Sequence, residues 1–321
     1  MNRTIVKAVV AVSLMSIAAS VFGSEKMEDS RTGSSAVRRT TGGSLSVKSA
    51  EAYPLNLDVQ GETTTSQLHF RPSYDELFTA DHASVRFARK DENGWQNRSV
   101  YSGAAPVLSM QEGTVANQLL ILDTTALQVV DFSAEEARVL GTFPIDNRAL
   151  RSGGHLVERF ADNVYLIDAS LPGFRVVSIE DPSVMRELTS FATSEVPVEI
   201  TLRTSHVYLR LNGEVAIVSV GDFIMPKPSE RTRLRGSAGI RSIGFDGEGS
   251  LFLGDGASLQ VVDADPESTT FLQVQSTLQM PASIERVVVQ QGRAFVLDPT
   301  GALEIVAVPQ RRVPEHQVPE Q

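Results

Sequence analysis

The chain has 321 residues, a hydrophobic content of 41%, an aromatic content of 6% and a formal net charge of −10 at pH 7. That length fits one large β domain or two ordinary domains. The negative charge repels phosphate backbones, and the few aromatic residues do not furnish a base-stacking platform, so we exclude a general nucleic-acid role. Cysteine is absent from the sequence, which excludes disulfides, thiolate metal sites and a lipid-modified cysteine.

The N-terminal segment predicts a secretory signal peptide over residues 1–23. Basic residues at Arg3 and Lys7 precede an apolar run at 8–22. This run is shorter than the roughly 20 residues that cross a bilayer, so we favour cleavage over the alternative of a retained anchor. The sequence has no second candidate span. Because the signal has the compact form typical of bacteria, we expect a periplasmic or secreted bacterial protein.

Two polar segments flank the rest of the chain, and both are predicted to be disordered. Residues 24–52 form a linker that is rich in Ser, Thr, Gly and charged residues and has no strand or helix periodicity. Residues 310–321 form a Pro-rich tail that cannot be a paired central strand. The folded domain is therefore predicted to cover residues 53–309.

Between these segments one pattern recurs six times: an apolar strand, a polar turn and a second apolar strand. The clearest copies are QLLILDTTALQVVDFS at 118–133, NVYLIDASLPGFRVVSIED at 163–181 and SLFLGDGASLQVVDAD at 250–265. The residues at which the turns begin are 42 to 45 positions apart, and they are Asp81, Asp123, Asp168, Asn212, Asp255 and Asp298. Such a regular period indicates a repeat architecture.

Each repeat unit has space for four short strands. A shorter apolar segment precedes the strand pair, and a variable polar segment follows it. Four strands per unit without a helical pattern predict an all-β fold, namely a six-bladed β-propeller with four-stranded blades. A parallel β-helix needs a shorter repeat, and βαβ units need helices. The sixth unit stops after its third strand, near Val308, so the strand-like stretch YPLNLDVQ at 53–60 is predicted to close the ring.

The sequence of the repeat resembles known propeller families. The pairs LLILD…ALQVVD, NVYLID…FRVVSIEDP and SLFLGDGASLQVVDADP resemble the LVIVD-type repeats of bacterial extracytoplasmic proteins, and FDGEGSLFLGDGASLQVVD is similar to the NHL repeat. The resemblance covers about residues 66–308 and implies binding and scaffolding more often than chemistry. Some six-bladed relatives, the gluconolactonase-like and strictosidine-synthase-like enzymes, are catalytic. The lactonases hold a divalent metal in the central channel with a Glu, Asn and Asp set, and this sequence has no matching Asn-bearing motif.

The six turn residues named above have two interpretations. On one face of a ring, five carboxylates and one Asn would form an acidic rim that attracts a cation or a basic partner. Alternatively, they terminate strands and cap tight turns through hydrogen bonds between side chain and backbone, as Asp and Asn commonly do. We favour the second interpretation.

The fourth unit contains the least regular segment, GDFIMPKPSERTRLRG at 221–236. In a strand, Arg231, Arg233 and Arg235 would share one face and form a basic stripe for an acidic partner. The alternative is positive charge that discourages association at an exposed edge strand. Phe223 and the two apolar residues after it are predicted to be exposed, so this unit is the candidate partner-contact surface.

No pattern in the sequence has the spacing of a catalytic or cofactor site. The histidines lack metal-ligand spacing, and no Gly-x-Ser-x-Gly elbow, phosphate-binding loop or calcium loop occurs. We therefore expect no cofactor, no metal and no catalytic residue. The sequence predicts a non-catalytic protein-binding or assembly module with a protein partner. The alternatives are a propeller hydrolase or lactonase with a divalent metal in the central channel, and a structural protein held at the cell surface by an uncut N-terminus.

Overall fold

A computed structural model describes most of the repeat region, and the described residues are 65–71, 76–91, 94–134, 136–150, 155–246, 249–290, 292–300 and 302–307. Within these ranges the chain forms 22 strands and one 3-10 helix, Pro182–Val184. No helix in this part of the chain is long and apolar enough to cross a bilayer. The predicted signal peptide, linker, closing strand and tail lie outside the described residues.

The strands form five antiparallel sheets, and the first three contain four strands each in chain order. Sheet 1 consists of β1 (Thr65–Arg71), β2 (Glu76–Asp81), β3 (Ser84–Asp91) and β4 (Gly94–Ser102). Sheet 2 consists of β5 (Val107–Glu112), β6 (Gln118–Asp123), β7 (Ala126–Asp131) and β8 (Arg138–Pro144). Sheet 3 consists of β9 (Val157–Phe160), β10 (Asn163–Asp168), β11 (Leu171–Ser178) and β12 (Arg186–Ala192).

The last two sheets contain seven and three strands. Sheet 4 consists of β13 (Glu199–Arg203), β14 (His206–Arg210), β15 (Gly213–Ser219), β16 (Ser229–Phe245), β17 (Ser250–Asp255), β18 (Ser258–Asp263) and β19 (Val274–Gln279). Sheet 5 consists of β20 (Arg286–Gln290), β21 (Arg293–Leu297) and β22 (Leu303–Ala307). The prediction of an all-β fold is confirmed.

Sheet 4 departs from the predicted pattern of four strands per sheet because it joins the fourth and fifth repeat units. β16 has 17 residues. Its first part pairs with β15 as far as Arg235, and its second part pairs with β17 from Ile240 onward, with Ile240 also opposite Gly213 of β15. Gly236 and Gly239 lie between the two parts, and Gly239 has a φ of 92°, which glycine adopts without strain. The chain therefore turns here without ending the strand.

The second strand of a repeat unit is buried on both faces. All six residues of β10 are buried, and so are all but the first residue of β6 and of β17. The cause is side-by-side packing of the units, since β1 lies next to β5, β5 next to β9, β9 next to β13 and β16 next to β20. Strands covered on both faces are continuous apolar runs. By contrast, all six residues of the outer strand β19 are exposed.

Candidate binding groove

A tight loop at residues 221–228, termed the anchor loop, follows β15. The carbonyl of Val220 accepts hydrogen bonds from the N–H groups of Asp222 at 2.8 Å and Lys227 at 2.9 Å, so the loop returns to its own start. The Asp222 carboxylate also accepts the N–H of Ile224 at 2.7 Å. Together with two prolines, these bonds limit the backbone freedom of the loop.

Side chains of sheet 3 anchor this loop of sheet 4. The Asn163 side-chain amide donates hydrogen bonds of 2.8 Å to the carbonyls of Phe223 and Ile224. The Tyr165 hydroxyl donates to the Phe223 carbonyl at 2.9 Å. Burial raises the pKa of Tyr165, and the nearby carboxylate of Asp222 raises it further, so the hydroxyl remains a neutral donor. Three hydrogen bonds from buried side chains therefore fix the loop against β10.

Phe223 is buried, with 8% of its surface accessible, so the prediction that it is exposed is wrong. Its ring centre lies 4.9 Å from that of Phe160 and 5.7 Å from that of Tyr165. The hydrogen bonds to its carbonyl hold the residue over sheet 3, where the ring covers other aromatic side chains. Phe223 therefore positions the loop rather than presenting its own ring at the surface.

Beyond Phe223, the anchor loop exposes apolar side chains beside a groove. Ile224 is 59% exposed and Met225 is 72% exposed. The groove has a volume of about 550 Å³ and lies between the loop and sheet 3, where the turn after β9, the end of β11 and the strand β12 line it. Leu188 adds an apolar side chain from β12, at a β-bulge in the pairing with β11. The loop and the sheet together form an apolar floor.

Charged side chains surround this floor, and they are Asp162, Glu180, Arg186 and Lys227. All four are exposed. In the part of the chain that the structure describes, none of the four takes part in an ion pair. An apolar centre inside a charged rim is the arrangement found in protein interfaces, and the volume of the groove lies within the roughly 300–1,000 Å³ of ligand sites.

The residues of the predicted basic stripe lie on the first part of β16, but glutamates offset much of their charge. Arg233 binds Glu214 at 2.5 Å and Glu230 at 2.8 Å. Arg235 binds the second carboxylate oxygen of Glu214 at 3.1 Å. Arg231 lies at a bulge and has no partner residue on β15, so the regular alternation on which the stripe depends ends there.

Two of the six turn residues cap their own turns from buried positions. The carboxylate of Asp123 accepts the N–H groups of Thr125 at 2.6 Å and Ala126 at 2.7 Å. That of Asp168 accepts the N–H of Ser170 at 2.8 Å. Both aspartates are almost fully buried. One carboxylate oxygen of each is therefore directed at the backbone of the turn, as in the turn interpretation of the sequence, whereas the second oxygen binds Gln128 at 2.8 Å in Asp123 and Arg175 at 2.5 Å in Asp168.

The other four turn residues differ from one another. Asp255 is buried and accepts the N–H groups of residues 237–238 on β16, at 2.6 and 2.8 Å. Asp298 caps its own turn from a half-buried position, whereas Asn212 is exposed. The side chain of Asp81 lies outside the described part of the structure. The five turn residues whose side chains are described thus occupy equivalent places in the repeat without sharing one environment.

A histidine and two glutamates lie at the joint between sheets 3 and 4. His155 Nε2 lies 3.3 Å from Glu158 Oε2, and the same oxygen accepts the N–H of Leu202 at 3.2 Å. Burial acts to lower the pKa of His155, and the charge of Arg286 acts in the same direction. The hydrogen bond and charge of Glu158, together with the charge of Glu199, outweigh these two effects, so the pKa is raised. Among the described residues, no three His, Asp or Glu side chains are grouped to hold a metal ion.

The residues of sheet 3 that build the groove were not predicted from the sequence. Asn163 and Tyr165 lie two positions apart on β10 and thus on one face of the strand. Both carry a polar group in a strand whose other residues before Asp168 are apolar, and buried polar groups need hydrogen-bond partners. This signal indicates that a backbone segment covers them, although it does not identify the segment. Leu188 has no comparable signal.

Comparisons with known proteins concern the fold. No protein-family model and no curated protein matches the sequence. The β-propeller domain of Myceliophteria thermophila Cps50 (Swd1) matches with a TM-score of 0.58 and 11% identity, over 76% of this chain and 84% of that one. A Lactobacillus plantarum protein matches with a TM-score of 0.59 and 11% identity, over 77% and 86%. Saccharomyces cerevisiae Sqt1 matches with a TM-score of 0.51 and 13% identity, over 75% and 73%. At such low identity the likeness is one of fold alone, and the fold of this chain is a β-propeller.

Proposed function

We propose that this protein is a non-catalytic binding or assembly module that contacts a protein partner through the groove beside the anchor loop. One observation carries the proposal: a loop fixed by buried Asn163 and Tyr165 exposes Ile224 and Met225 to water. Burial of exposed apolar surface under a partner stabilises the complex by about 25 cal/mol for each Å² that is covered. A loop that is already fixed loses little conformational entropy on binding.

We also propose that the propeller is a closed ring of six blades. Sheet 4 supplies two of the repeat units, and the other sheets supply one each. Among the described residues, sheet 5 has three strands where sheets 1 to 3 have four, and β22 is an edge strand. The stretch at 53–60 has a strand-like sequence and lies four residues before β1, so it is the segment proposed to pair with that edge.

We propose an extracytoplasmic location, with residues 1–23 removed on export and residues 24–52 and 310–321 outside the folded domain. N-terminal sequencing of the protein from periplasmic and extracellular fractions tests this proposal. A mature protein that begins near Ser24 is expected. An intact Met1 in a membrane fraction would contradict it and would favour the retained anchor.

Affinity capture from native envelope extracts with the full chain tests the binding function. A variant with Ile224→Ser and Met225→Ser removes the apolar residues of the loop. A matched control with Val274→Ser and Leu278→Ser removes two exposed apolar side chains from β19, where they are 53% and 44% exposed. We expect the wild type and the control to retain one protein in stoichiometric amount, and the loop variant to lose it. Identical captured proteins for all three would overturn the proposal.

A third variant separates the groove from the basic stripe. It changes Arg231, Arg233 and Arg235 to Ser and leaves the anchor loop unaltered. If the partner binds through the groove, this variant should retain it, because the glutamates already pair with two of the three arginines. Loss of the partner here, with retention by the loop variant, would move the contact surface to β16.

A further inference from the structure

We infer that residues 308–321, termed the Val-Pro tail, bind in the groove of their own chain and compete there with the protein partner, an inference that rests on the proposed function. A Val-Pro pair recurs every five residues in this segment, at 308–309, 313–314 and 318–319. Each pair offers a compact apolar surface, and proline restricts both its own backbone and that of the residue before it. The tail therefore loses less conformational entropy on docking than a chain without proline does.

The third strands of the fourth and fifth repeat units, β15 and β18, run in the same direction. Gly213, at the start of β15, lies opposite Ile240. Ile240 in turn lies opposite Asp255, which immediately precedes the turn into β18. Both strands therefore begin on one face of the molecule and end on the other.

The strand β22 has the same direction as β18. The second part of β16 and β20 run side by side in one direction, because Ser242 accepts the N–H of Val287 at 2.9 Å and Arg241 Nη1 lies 3.8 Å from Glu285 Oε2. Each of the two begins a run of three antiparallel strands, which ends in β18 and in β22. The Val-Pro tail thus leaves β22 on the face where the anchor loop follows β15.

The Val-Pro tail is long enough to reach the groove. The fifth and fourth repeat units lie between sheet 5 and the groove, and with about 10 Å between packed sheets the distance is roughly 30 Å. The eleven residues from Ala307 to Val318 extend over about 36 Å. The last Val-Pro pair is therefore the one inferred to lie in the groove.

The groove fits this segment through its apolar floor. Asp162 and Glu180 line it together with Arg186 and Lys227, so the rim does not select an occupant by net charge. The Val-Pro tail carries two arginines and two glutamates, and it adds no strong charge of either sign. Met225 is flexible enough to adapt to a docked Val-Pro pair. The polar segment at 24–52, by contrast, contains no proline.

Attachment to the same chain makes a weak contact sufficient. A short flexible connection gives an effective concentration in the millimolar range. A tail with an intrinsic Kd of about 1 mM would then fill the groove in about half of the molecules, and the apparent affinity for the partner falls with the fraction of free grooves. The tail therefore sets the partner concentration at which the groove is occupied.

Disulfide trapping in the full chain tests the docked tail, since the chain has no cysteine of its own. One variant combines Val318→Cys with Met225→Cys. The matched control combines Val318→Cys with Val274→Cys, an exposed site in the fifth unit, which lies beside sheet 5. After correction for the reactivity of each thiol with oxidised glutathione, the disulfide within one chain should form at least about fivefold faster in the first variant. Equal or faster formation in the control, or disulfides that form only between chains, would overturn the inference.

A second variant, Val313→Ser with Val318→Ser, separates the inference from the proposed function. If the tail competes, this variant should capture at least about threefold more partner than the wild type. The control Gln310→Ser with Gln317→Ser leaves the Val-Pro pairs intact and should capture as the wild type does. No gain in capture would overturn the competition, while loss of the partner by the Ile224→Ser and Met225→Ser variant would still support the groove as the contact surface. Faster trapping without any captured protein would support the docked tail and contradict the proposed function. Thermal unfolding of each variant establishes that it is folded.

Discussion

The carboxylate of Glu158 accepts the backbone N–H of Leu202 at 3.2 Å, so a side chain of sheet 3 secures the first strand of sheet 4. The corresponding joint between sheets 4 and 5 uses a hydroxyl, since Ser242 Oγ accepts the N–H of Val287 at 2.9 Å. A hydroxyl acceptor does not ionise near neutral pH, whereas Glu158 also binds the titratable His155. Of these two joints, the one between sheets 3 and 4, which supports the groove, is therefore the one whose strength depends on pH.

The first prediction concerns this pH dependence. The pKa of His155 is raised on folding, so its stabilising contribution is fully present below the ordinary His pKa of about 6.5 and is lost as the pH rises through the folded-state value. The thermal stability of the wild type relative to His155→Gln should thus be greater at about pH 5.5 than at about pH 9. Since 37% of the side chain is exposed, solvent screening limits the effect to about 1 kcal/mol or less. The exposed His82, changed to Asn, is the control. A difference that stays constant or grows with pH would contradict the assignment.

The second prediction concerns the anchor of the loop. Asn163→Ala removes the donor to two carbonyls, and the loss of these bonds is expected to cost about 2 kcal/mol. The amides of Ile224 and Lys227 should then exchange faster with solvent deuterium, because the loop loses its attachment to β10. Hydrogen exchange measured by mass spectrometry tests this, with the exposed Asn212→Ala as the control. Unchanged protection in the loop would show that the asparagine does not fix it.

The third prediction concerns the bend in β16. Asp255→Ala removes the buried carboxylate that accepts the N–H groups of Ser237 and Ala238, and the loss of these hydrogen bonds to a charged group should destabilise the protein by about 1.5–3 kcal/mol. Gly236 allows this close approach, since a Cβ there would lie 2.4 Å from Asp255 Oδ1. Denaturant unfolding measures the loss. Asp162→Ala, at an exposed site without an ion pair, should change stability by less than about 0.5 kcal/mol. Similar values for both variants would contradict the role of the buried aspartate.

The fourth prediction concerns closure of the ring. Deletion of residues 53–60 should destabilise the whole domain and lower the midpoint of a single cooperative transition, because the proposed ring would open at sheet 5. Deletion of an equal number of residues from the linker, at 30–37, serves as the control and should leave the midpoint unchanged. A cooperative unfolding curve that is the same with and without 53–60 would contradict ring closure by this segment.

Local patterns in the sequence predicted most of the fold, because the features of each repeat are local. The apolar runs and the aspartates at 123 and 168 mark strands and turns within a few residues. The continuous β16 was not predicted, since its course depends on glycines that bend the chain without ending the strand. The burial of Phe223 depends on Asn163 and Tyr165, about 60 positions earlier in the chain. A groove built across two sheets has no local signature, and its position followed from the tertiary structure.

The course of β16 has a consequence for how this repeat protein changes over time. In a repeat protein each unit contacts only its neighbours, so a unit is most readily added or removed where one unit ends and the next begins. Between the fourth and fifth units no such boundary exists, because one strand of 17 residues belongs to both. A break within either part of β16 would shorten an edge strand of the sheet to which that part belongs. These two units should therefore be inherited, duplicated or lost as a single block.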